Sequence, residues 1–362
     1  MDLYIIGQAL LGFVLLVLGA ELMVKGAAEL AARFGIPPII IGLTVVAFGT
    51  SAPELAVAVQ SALAGQPDIA LGNVVGSNIL NILLVLGLAA MITPLIVDSR
   101  LIRKEVPILL AVSLLLFGFA FNGTISMIEG SVLFAGSIVY TVYAIFSTKQ
   151  ESAANDFSNN GEDVLAERHV ALSCLLVFAG LAMLVLGADF LVKSAVAIAQ
   201  WLGVSELLIG LTVISIGTSL PEIATTVAAA MRGLRDMAVG NVVGSCLFNI
   251  LVVTGAAAII APSGLDVDMA LIHFDMPVML ATTVACLPIF ATGHLIARWE
   301  GLLFFSFYIA YTTYLIMASH SQESVELMHF AMLSFVIPLT FITLCLLWLR
   351  EIRSKGKAAN ND

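Results

Sequence analysis

The sequence predicts an all-α polytopic membrane protein that consists of two inverted five-helix repeats plus one extra C-terminal transmembrane helix. The first observation behind this prediction is composition. Of the 362 residues, 60% are hydrophobic and only 11% are charged, against roughly 25% charged residues in an ordinary soluble domain. The second is an internal repeat of 76 residues. Because a soluble fold could not bury so much apolar surface, the composition excludes a soluble enzyme, a nucleic-acid-binding protein and a disordered chain.

The apolar residues form about eleven long runs. Backbone polar groups cannot stay unpaired in hydrocarbon, so a run near or above the roughly 18–20 residues that cross a bilayer is expected to be a helix. The first and sixth runs are long enough for strongly tilted helices. The predicted helices are 3–33, 36–61, 69–92, 105–121, 126–146, 170–200, 205–231, 237–260, 272–291, 298–318 and 327–349.

These helices leave one sizeable connector, Ser147 to Arg168, which is rich in Ser, Asn, Glu and Asp and is expected to be a solvated loop. The predicted domains are the first five-helix repeat at 1–148, a cytoplasmic acidic loop at 149–168, the second, inverted five-helix repeat at 169–318, and the extra helix with a basic cytoplasmic tail at 319–362.

Lys and Arg predict the orientation, because basic residues accumulate on the cytoplasmic side of membrane proteins. With the N-terminus outside, fourteen of the fifteen Lys and Arg residues fall inside, and only Lys193 falls outside. We therefore expect an external N-terminus and a cytoplasmic C-terminus. The split also supports the eleventh helix, since without it the basic tail from Arg350 onward would lie outside.

The internal repeat aligns residues 19–94 with residues 187–262 without a gap, at a shift of 168 positions and with 38 identities in 76. The shift carries the second helix onto the seventh, and this odd number of crossings reverses the direction of the segment. Inverted repeats with polar, Gly- and Pro-interrupted helices are typical of secondary transporters, whose ion or substrate site lies near the midplane. The repeat therefore predicts a transporter.

The densest match pairs GLTVVAFGTSAPE, which ends at Glu54, with GLTVISIGTSLPE, which ends at Glu222. Each segment places Gly and Pro around two hydroxyls and one carboxylate in the middle of an apolar helix. Pro53 and Pro221 remove an N–H group and clash with the carbonyl four residues earlier. The freed carbonyls can then face a cation.

A second pair of segments, GNVVGSNILN from Gly72 and GNVVGSCLFN from Gly240, supplies small and amide side chains. Its glycines are expected to let helices approach closely. The Ser and the last Asn of each segment lie four positions apart and therefore share a helix face. Asp68 and Asp236, which precede the segments, are interpreted as helix N-caps.

Together these segments offer carboxylates, hydroxyls, amide oxygens and loosened carbonyls, an all-oxygen set of the kind that hard cations such as Ca²⁺ and Na⁺ prefer. A charged group at mid-membrane costs at least ~2.5–3.5 kcal/mol on insertion scales, so Glu54 and Glu222 need cations or protons as partners. A single Ser, Thr or Asn in a membrane helix is usually a helix contact, but recurrence in both halves favours a site.

At these segments the sequence resembles the cation/Ca²⁺ antiporter superfamily, in its prokaryotic Na⁺/Ca²⁺ exchanger-like branch, over residues 1 to about 318. The resemblance implies two inverted five-helix repeats with cation sites clustered at their interface. The ligands that it implies are Thr50, Ser51, Glu54, Ser77 and Asn81 from the first repeat, Thr218, Ser219, Glu222, Ser245 and Asn249 from the second, and the backbone carbonyls of Ala47 and Ser215.

The resemblance also implies an activity, the antiport of about three Na⁺ for one Ca²⁺ by alternating access. Each cycle would move one net charge, so transport would respond to voltage. Ca²⁺ and Na⁺ would be substrates, and no cofactor, nucleic acid or obligate protein partner is expected besides the lipid bilayer. The expected location is the inner membrane of a prokaryotic cell.

The chain departs from the family pattern at several points. Cys246 stands where the first repeat has Asn78, so the two halves are unequal there. Asn249 is Asp in some relatives, including K⁺-dependent ones, which argues against K⁺ cotransport. The eleventh helix exceeds the family's ten, and the 147–168 loop is too short for the large regulatory domain of the animal exchangers.

The residues alone leave other functions open. A Ca²⁺/H⁺ antiporter could use Glu54 and Glu222 as proton carriers, and a passive cation channel would need no counter-ion. An intramembrane hydrolase could use the two glutamates as an acid–base pair. The chain lacks the paired Asp motifs of intramembrane aspartyl proteases and an HExxH zinc helix, which argues against this last alternative.

Overall fold

The computed structural model describes residues 3–155, 170–201, 215–318 and 341, and most of these are helical. The helices are α1 (Leu3–Phe34), α2 (Pro38–Thr50), α3 (Ala52–Leu63), α4 (67–92), α5 (101–120), α6 (Met127–Asn155), α7 (Val170–Trp201), α8 (Ser215–Thr218), α9 (Leu220–Met231), α10 (Arg235–Ile260), α11 (Leu271–Ala291) and α12 (Arg298–Ala318). Among the described residues, four two-residue strands lie between the helices: β1 (Leu95–Ile96), β2 (Thr124–Ile125), β3 (Leu265–Asp266) and β4 (Leu295–Ile296).

Within the described ranges, seven helices are long and apolar enough to cross a membrane, and α2 with α3 makes an eighth span if the pair is counted as one helix bent by 44°. Helices α4 and α10 form the centre, since 72% of each apolar window is buried, against 17–28% for α1, α6, α7 and α12. The outer helices therefore present apolar side chains to lipid. The prediction of an all-α polytopic membrane protein is confirmed.

Each predicted helix within the described ranges is present, but two boundaries need comment. Helix α6 continues to Asn155, past the predicted end at residue 146 and into the expected loop at 149–168. Its last turns hold Glu and Ala, which favour helix over loop, and apolar periodicity does not detect a helical extension that follows the end of an apolar run. Residues 205–214 of the seventh predicted helix, and the eleventh apart from residue 341, lie outside the described residues.

The contacts between α1 and α7 recur with the two halves exchanged. A Cβ atom added to Gly19 would lie 2.8 Å from the carbonyl oxygen of Gly180, and one added to Gly187 would lie 2.8 Å from that of Gly12. The shift of 168 carries Gly12 onto Gly180 and Gly19 onto Gly187. The two backbones touch because no side chain separates them, and the paired contacts are those of an approximate two-fold relation.

The strands and the outer helices follow the same relation. Strand β1 of the first half pairs with β4 of the second, and β2 pairs with β3, both antiparallel. The Tyr140 hydroxyl donates to Glu105 Oε2 at 2.9 Å, and the Tyr311 hydroxyl donates to Asp275 Oδ1 at 2.7 Å. The first of these pairs also holds an ion pair, since Arg100 Nε lies 2.9 Å from Glu105 Oε1.

In the described part of the chain, five helices contain a π-helical turn: Gly42–Val46 in α2, Asn81–Leu86 in α4, Leu101–Glu105 in α5, Asn249–Thr254 in α10 and Leu271–Asp275 in α11. The turns of α4 and α10 are equivalent by the repeat, and each begins at a predicted ligand, Asn81 or Asn249. A π turn rotates the following side chains relative to a regular helix and is frequent at functional sites.

Candidate cation site

The two densest sequence matches form breaks between helices. Ser51 separates α2 from α3 and Ser219 separates α8 from α9, each with a ψ angle near 10° that no regular helix continues through (9° and 8°). A Pro stands at the second position of the new helix in both cases, where its missing N–H removes no intrahelical bond. Glu54 and Glu222 lie in these first turns, where the positive end of the helix dipole favours a carboxylate.

The glutamates are bound by serines of the opposite half. Ser51 Oγ donates to Glu222 Oε1 at 2.9 Å, and Ser219 Oγ donates to Glu54 Oε1 at 3.0 Å. The shift of 168 carries each bond onto the other, so these crossed pairs lie at the junction between the halves. Neither half alone can form them.

Further hydroxyls surround the crossed pairs. Ser77 Oγ lies 3.4 Å from Ser219 Oγ, and Thr50 Oγ1 lies 3.4 Å from Ser245 Oγ. Ser77 and Ser245 come from α4 and α10, the two central helices. The GNVVGS segment of each half therefore places its serine beside the helix break of the opposite half.

Several oxygens in this cluster are buried without a hydrogen-bond partner, namely Glu54 Oε2, Glu222 Oε2, Asn249 Oδ1 and Asn81 Oδ1. All four residues are 0% exposed. No described Lys or Arg forms an ion pair with either glutamate. Buried acceptors are rarely left unpaired, and a carboxylate within a membrane needs a compensating charge. The site is thus suited to bind hard cations or protons.

Most of the predicted ligands lie together in the structure. Nine of them are fully buried in or beside the cluster: Thr50, Ser51, Ser77, Ser219, Ser245, Glu54, Glu222, Asn81 and Asn249. Thr218 is half-buried, and its hydroxyl donates to Asn73 Oδ1 at 3.4 Å. The Ala47 carbonyl accepts from the Thr50 hydroxyl at 3.3 Å. Ser215 begins α8, and its side chain lies outside the description.

Sequence reasoning missed four polar positions beside the site. Asn241 Nδ2 donates to the hydroxyls of Thr225 and Thr226 at 3.2 and 2.9 Å. Its counterpart, Asn73, has Nδ2 without a partner. Both asparagines stood in the matched GN dipeptides, which was the available signal. Thr225 and Thr226 carried none, since Val57 and Ala58 occupy their places in the first repeat.

Two local predictions are corrected by the structure. Asp236 does not cap α10: the N-cap is Leu234, no side chain caps the helix, and Asp236 Oδ1 has no partner. The close approach predicted at the glycines holds for Gly240, where an added Cβ would lie 2.7 Å from the Ile39 carbonyl oxygen, but not for Gly72, which faces open space. The matched sequences give both glycines the same prediction, although only Gly240 packs against a neighbouring helix.

Comparison with known proteins identifies the family. A family model described as sodium/calcium exchanger protein matches residues 4–148 and 172–317, which include both broken helices and both central helices. The chain belongs to this family. Its members are exchangers of Ca²⁺ and Na⁺ rather than enzymes, so the predicted transporter and its predicted substrates are confirmed at the level of cation/Ca²⁺ antiport.

Individual exchangers and membrane proteins agree with this assignment. The chain is 33% identical to sodium/calcium exchanger MaX1 of Methanosarcina acetivorans, over 83% of this chain and 95% of that protein. It is 38% identical to inner membrane protein YrbG of Escherichia coli, over 76% and 85% of the two chains. The solved structure of the sodium-calcium exchanger NCX_Mj superposes with a TM-score of 0.74 at 32% identity, over 89% of this chain and all of that one.

Proposed function

We propose that this family member exchanges Na⁺ for Ca²⁺ at the cluster around Glu54 and Glu222, with about three Na⁺ for one Ca²⁺, by alternating access. The observation that carries the proposal is the crossed pair of hydrogen bonds, Ser51 to Glu222 and Ser219 to Glu54. A site built equally from two similar halves can open to one side or the other by similar rearrangements.

The charge of the cluster supplies a physical basis for obligatory exchange. Two ionised glutamates carry a charge of −2, which one Ca²⁺ neutralises and which several Na⁺ can replace. An empty site would leave two buried carboxylates uncompensated, and this state is costly within a membrane. Reorientation is therefore favoured only when cations occupy the site, which couples the two ions without any direct contact between them.

The neutral oxygens favour Na⁺ as the coupling ion. A proton carrier needs only the two carboxylates, whereas the cluster adds hydroxyls from Thr50, Ser77 and Ser245 and unpartnered amide oxygens from Asn81 and Asn249. Such neutral oxygens are ligands for hard cations. The alternative, a Ca²⁺/H⁺ antiporter, is favoured by one observation: protons would satisfy the unpartnered Oε2 atoms of both glutamates.

Purified protein in proteoliposomes distinguishes the two coupling ions. We expect an outward Na⁺ gradient to drive uptake of radioactive Ca²⁺ without a pH gradient, and a pH gradient in Na⁺-free medium to drive none. The reverse pattern would replace Na⁺ with H⁺ in the proposal. Ca²⁺ uptake without any counter-ion gradient would instead indicate a passive channel.

The proposed stoichiometry predicts a voltage effect of known sign. When three Na⁺ leave and one Ca²⁺ enters, one positive charge leaves the vesicle, so an inside-positive potential should accelerate Ca²⁺ uptake. The driving force is about 2.3 kcal/mol per charge per 100 mV. Potentials of both signs can be set with K⁺ and valinomycin, and equal uptake at both would contradict the three-to-one ratio.

We further propose that the protein lies in the cell membrane of a prokaryote with its N-terminus outside and its C-terminus in the cytoplasm. The distribution of Lys and Arg supports this orientation. A relative named as an inner membrane protein supports the location. A C-terminal fluorescent reporter that folds only in the cytoplasm should therefore be bright, and one that is active only outside should be silent.

A further inference from the structure

One residue pair breaks the symmetry of the site. Asn78 and Cys246 are equivalent by the shift of 168 and face each other where α4 crosses α10. Asn78 Nδ2 donates to the Cys246 carbonyl oxygen at 3.3 Å, and Cys246 Sγ donates to the Asn78 carbonyl oxygen at 3.9 Å. The two residues are 1% and 0% exposed, so neither reaches lipid or water.

Of these two described residues, only Asn78 forms a strong hydrogen bond to the side chain of a predicted ligand. Its Oδ1 accepts from Asn249 Nδ2 at 3.2 Å. This bond occupies the donor end of the Asn249 amide and leaves Oδ1, which is buried without a partner, as the free end. The equivalent amide, that of Asn81, lies beside the Cys246 thiol. Neither of its atoms has a hydrogen-bond partner, because a thiol sulfur is a much weaker acceptor than an amide oxygen.

We propose that Asn78 is a positioning residue that fixes the Asn249 amide with its carbonyl oxygen available to the transported cation, so that the two asparagine ligands are unequal. The inference rests on the proposed function. An amide presents a cation with either an oxygen, which attracts it, or an NH₂ group, which repels it. The hydrogen bond from Asn249 to Asn78 selects the oxygen, and Asn78 is itself held by the Cys246 backbone.

A matched pair of variants tests this role. We expect Asn78→Ala to raise the half-saturating Na⁺ or Ca²⁺ concentration about three- to tenfold, the value of one buried neutral hydrogen bond, with little change in maximal rate. Cys246→Ala removes the equivalent side chain, whose thiol makes only weak contacts with the Asn78 carbonyl and the Asn81 amide, and should change both constants less than twofold. Equal shifts in the two variants would overturn the proposal.

Two further comparisons separate positioning from a general loss of packing. The effects of Asn78→Ala and Asn249→Ala should be non-additive, whereas those of Asn78→Ala and Asn81→Ala should add, as expected for coupled and uncoupled residues. Additivity in both cycles would overturn the proposal. A double variant, Asn78→Cys with Cys246→Asn, retains both side-chain types but exchanges their positions. In this variant, the non-additive partner should become Asn81 in place of Asn249.

The exchanged variant, assayed with a reducing agent, also keeps the test decisive if Asn78→Ala folds poorly. Coupling that stays with Asn249 in this variant would overturn the positioning role. The wild-type protein separates this result from a failure of the proposed function. Absence of Na⁺-driven Ca²⁺ flux in the wild type would remove both proposals, whereas normal wild-type exchange with an unaltered Asn78→Ala variant would remove only the role of Asn78.

Discussion

Single residues connect the two halves at the site. Ser51 and Ser219 each terminate one helix and bind the carboxylate that begins the next helix of the opposite half. Each hydroxyl orients one carboxylate oxygen and leaves the other, Oε2 of Glu54 or Glu222, without a partner. At the proposed cation site, the serines would thus orient the two carboxylates as well as offer oxygens of their own.

At this scale we predict that Ser51→Ala and Ser219→Ala weaken Ca²⁺ binding to a similar extent. A hydrogen bond to a charged group contributes about 1.5–3 kcal/mol, so the half-saturating Ca²⁺ concentration for flux should rise about tenfold or more. Ser113→Ala is the matched control, because this buried hydroxyl bonds only the Leu109 carbonyl of its own helix. A shift in the control as large as in the two site variants would refute the orienting role.

The helices α1 and α7 cross at glycines, and this contact depends on the absence of side chains. Gly19→Ala would place a methyl group 2.8 Å from the Gly180 carbonyl oxygen, which forces the helices apart and should cost about 1–3 kcal/mol. We therefore expect a lower Tm in detergent. Gly7→Ala in the same helix meets nothing within 4 Å and should leave the Tm unchanged or slightly raised, since Ala favours helix over Gly. Equal effects would contradict the close packing.

The paired Tyr–carboxylate contacts of the outer helices differ in charge, and this difference predicts unequal stabilities. Glu105→Gln removes the carboxylate that neutralises Arg100 in a buried ion pair, a change that typically costs about 3–5 kcal/mol. Asp275→Asn retains an acceptor for the Tyr311 hydroxyl and should cost about 1 kcal/mol. Thermal unfolding of the two variants should show the larger fall in Tm for Glu105→Gln. An equal or reversed order would be inconsistent with the ion pair's role.

The helices and most site residues could be predicted from the sequence because hydrophobic runs and the repeat are local or directly countable. The crossing of Ser51 to Glu222 could not, since it depends on how two distant helix breaks meet. The contacts of Asn78 and Asn73 could not be predicted for the same reason, because their partners belong to the other half. Asp236 lies near a helix start, which suggested a cap that the structure does not contain. The extension of α6 past its apolar run could not be predicted either, because apolar periodicity carries no signal beyond the end of the run.

At the scale of the whole molecule, the proposed exchange depends on the approximate two-fold relation between the halves. The glycine contacts of α1 with α7, the strand pairs and the crossed Ser–Glu bonds all recur when the halves are exchanged. In the proposed mechanism, the two similar halves exchange conformations, which would yield two states of similar energy that open to opposite sides. The unequal pair Asn78 and Cys246 lies at the centre of this arrangement, where a small difference affects both halves.

The most direct test of the account is Na⁺-driven uptake of radioactive Ca²⁺ by proteoliposomes that hold wild type, Glu54→Gln or Glu222→Gln. Glutamine keeps the size of the side chain and an acceptor for the opposite serine, so an unchanged Tm would show that the fold is intact. Because each variant removes one of the two charges proposed to bind Ca²⁺, we expect wild-type uptake to be lost to the level of protein-free vesicles in both. Uptake at the wild-type rate in both variants would contradict the central claim that these two glutamates form the exchange site.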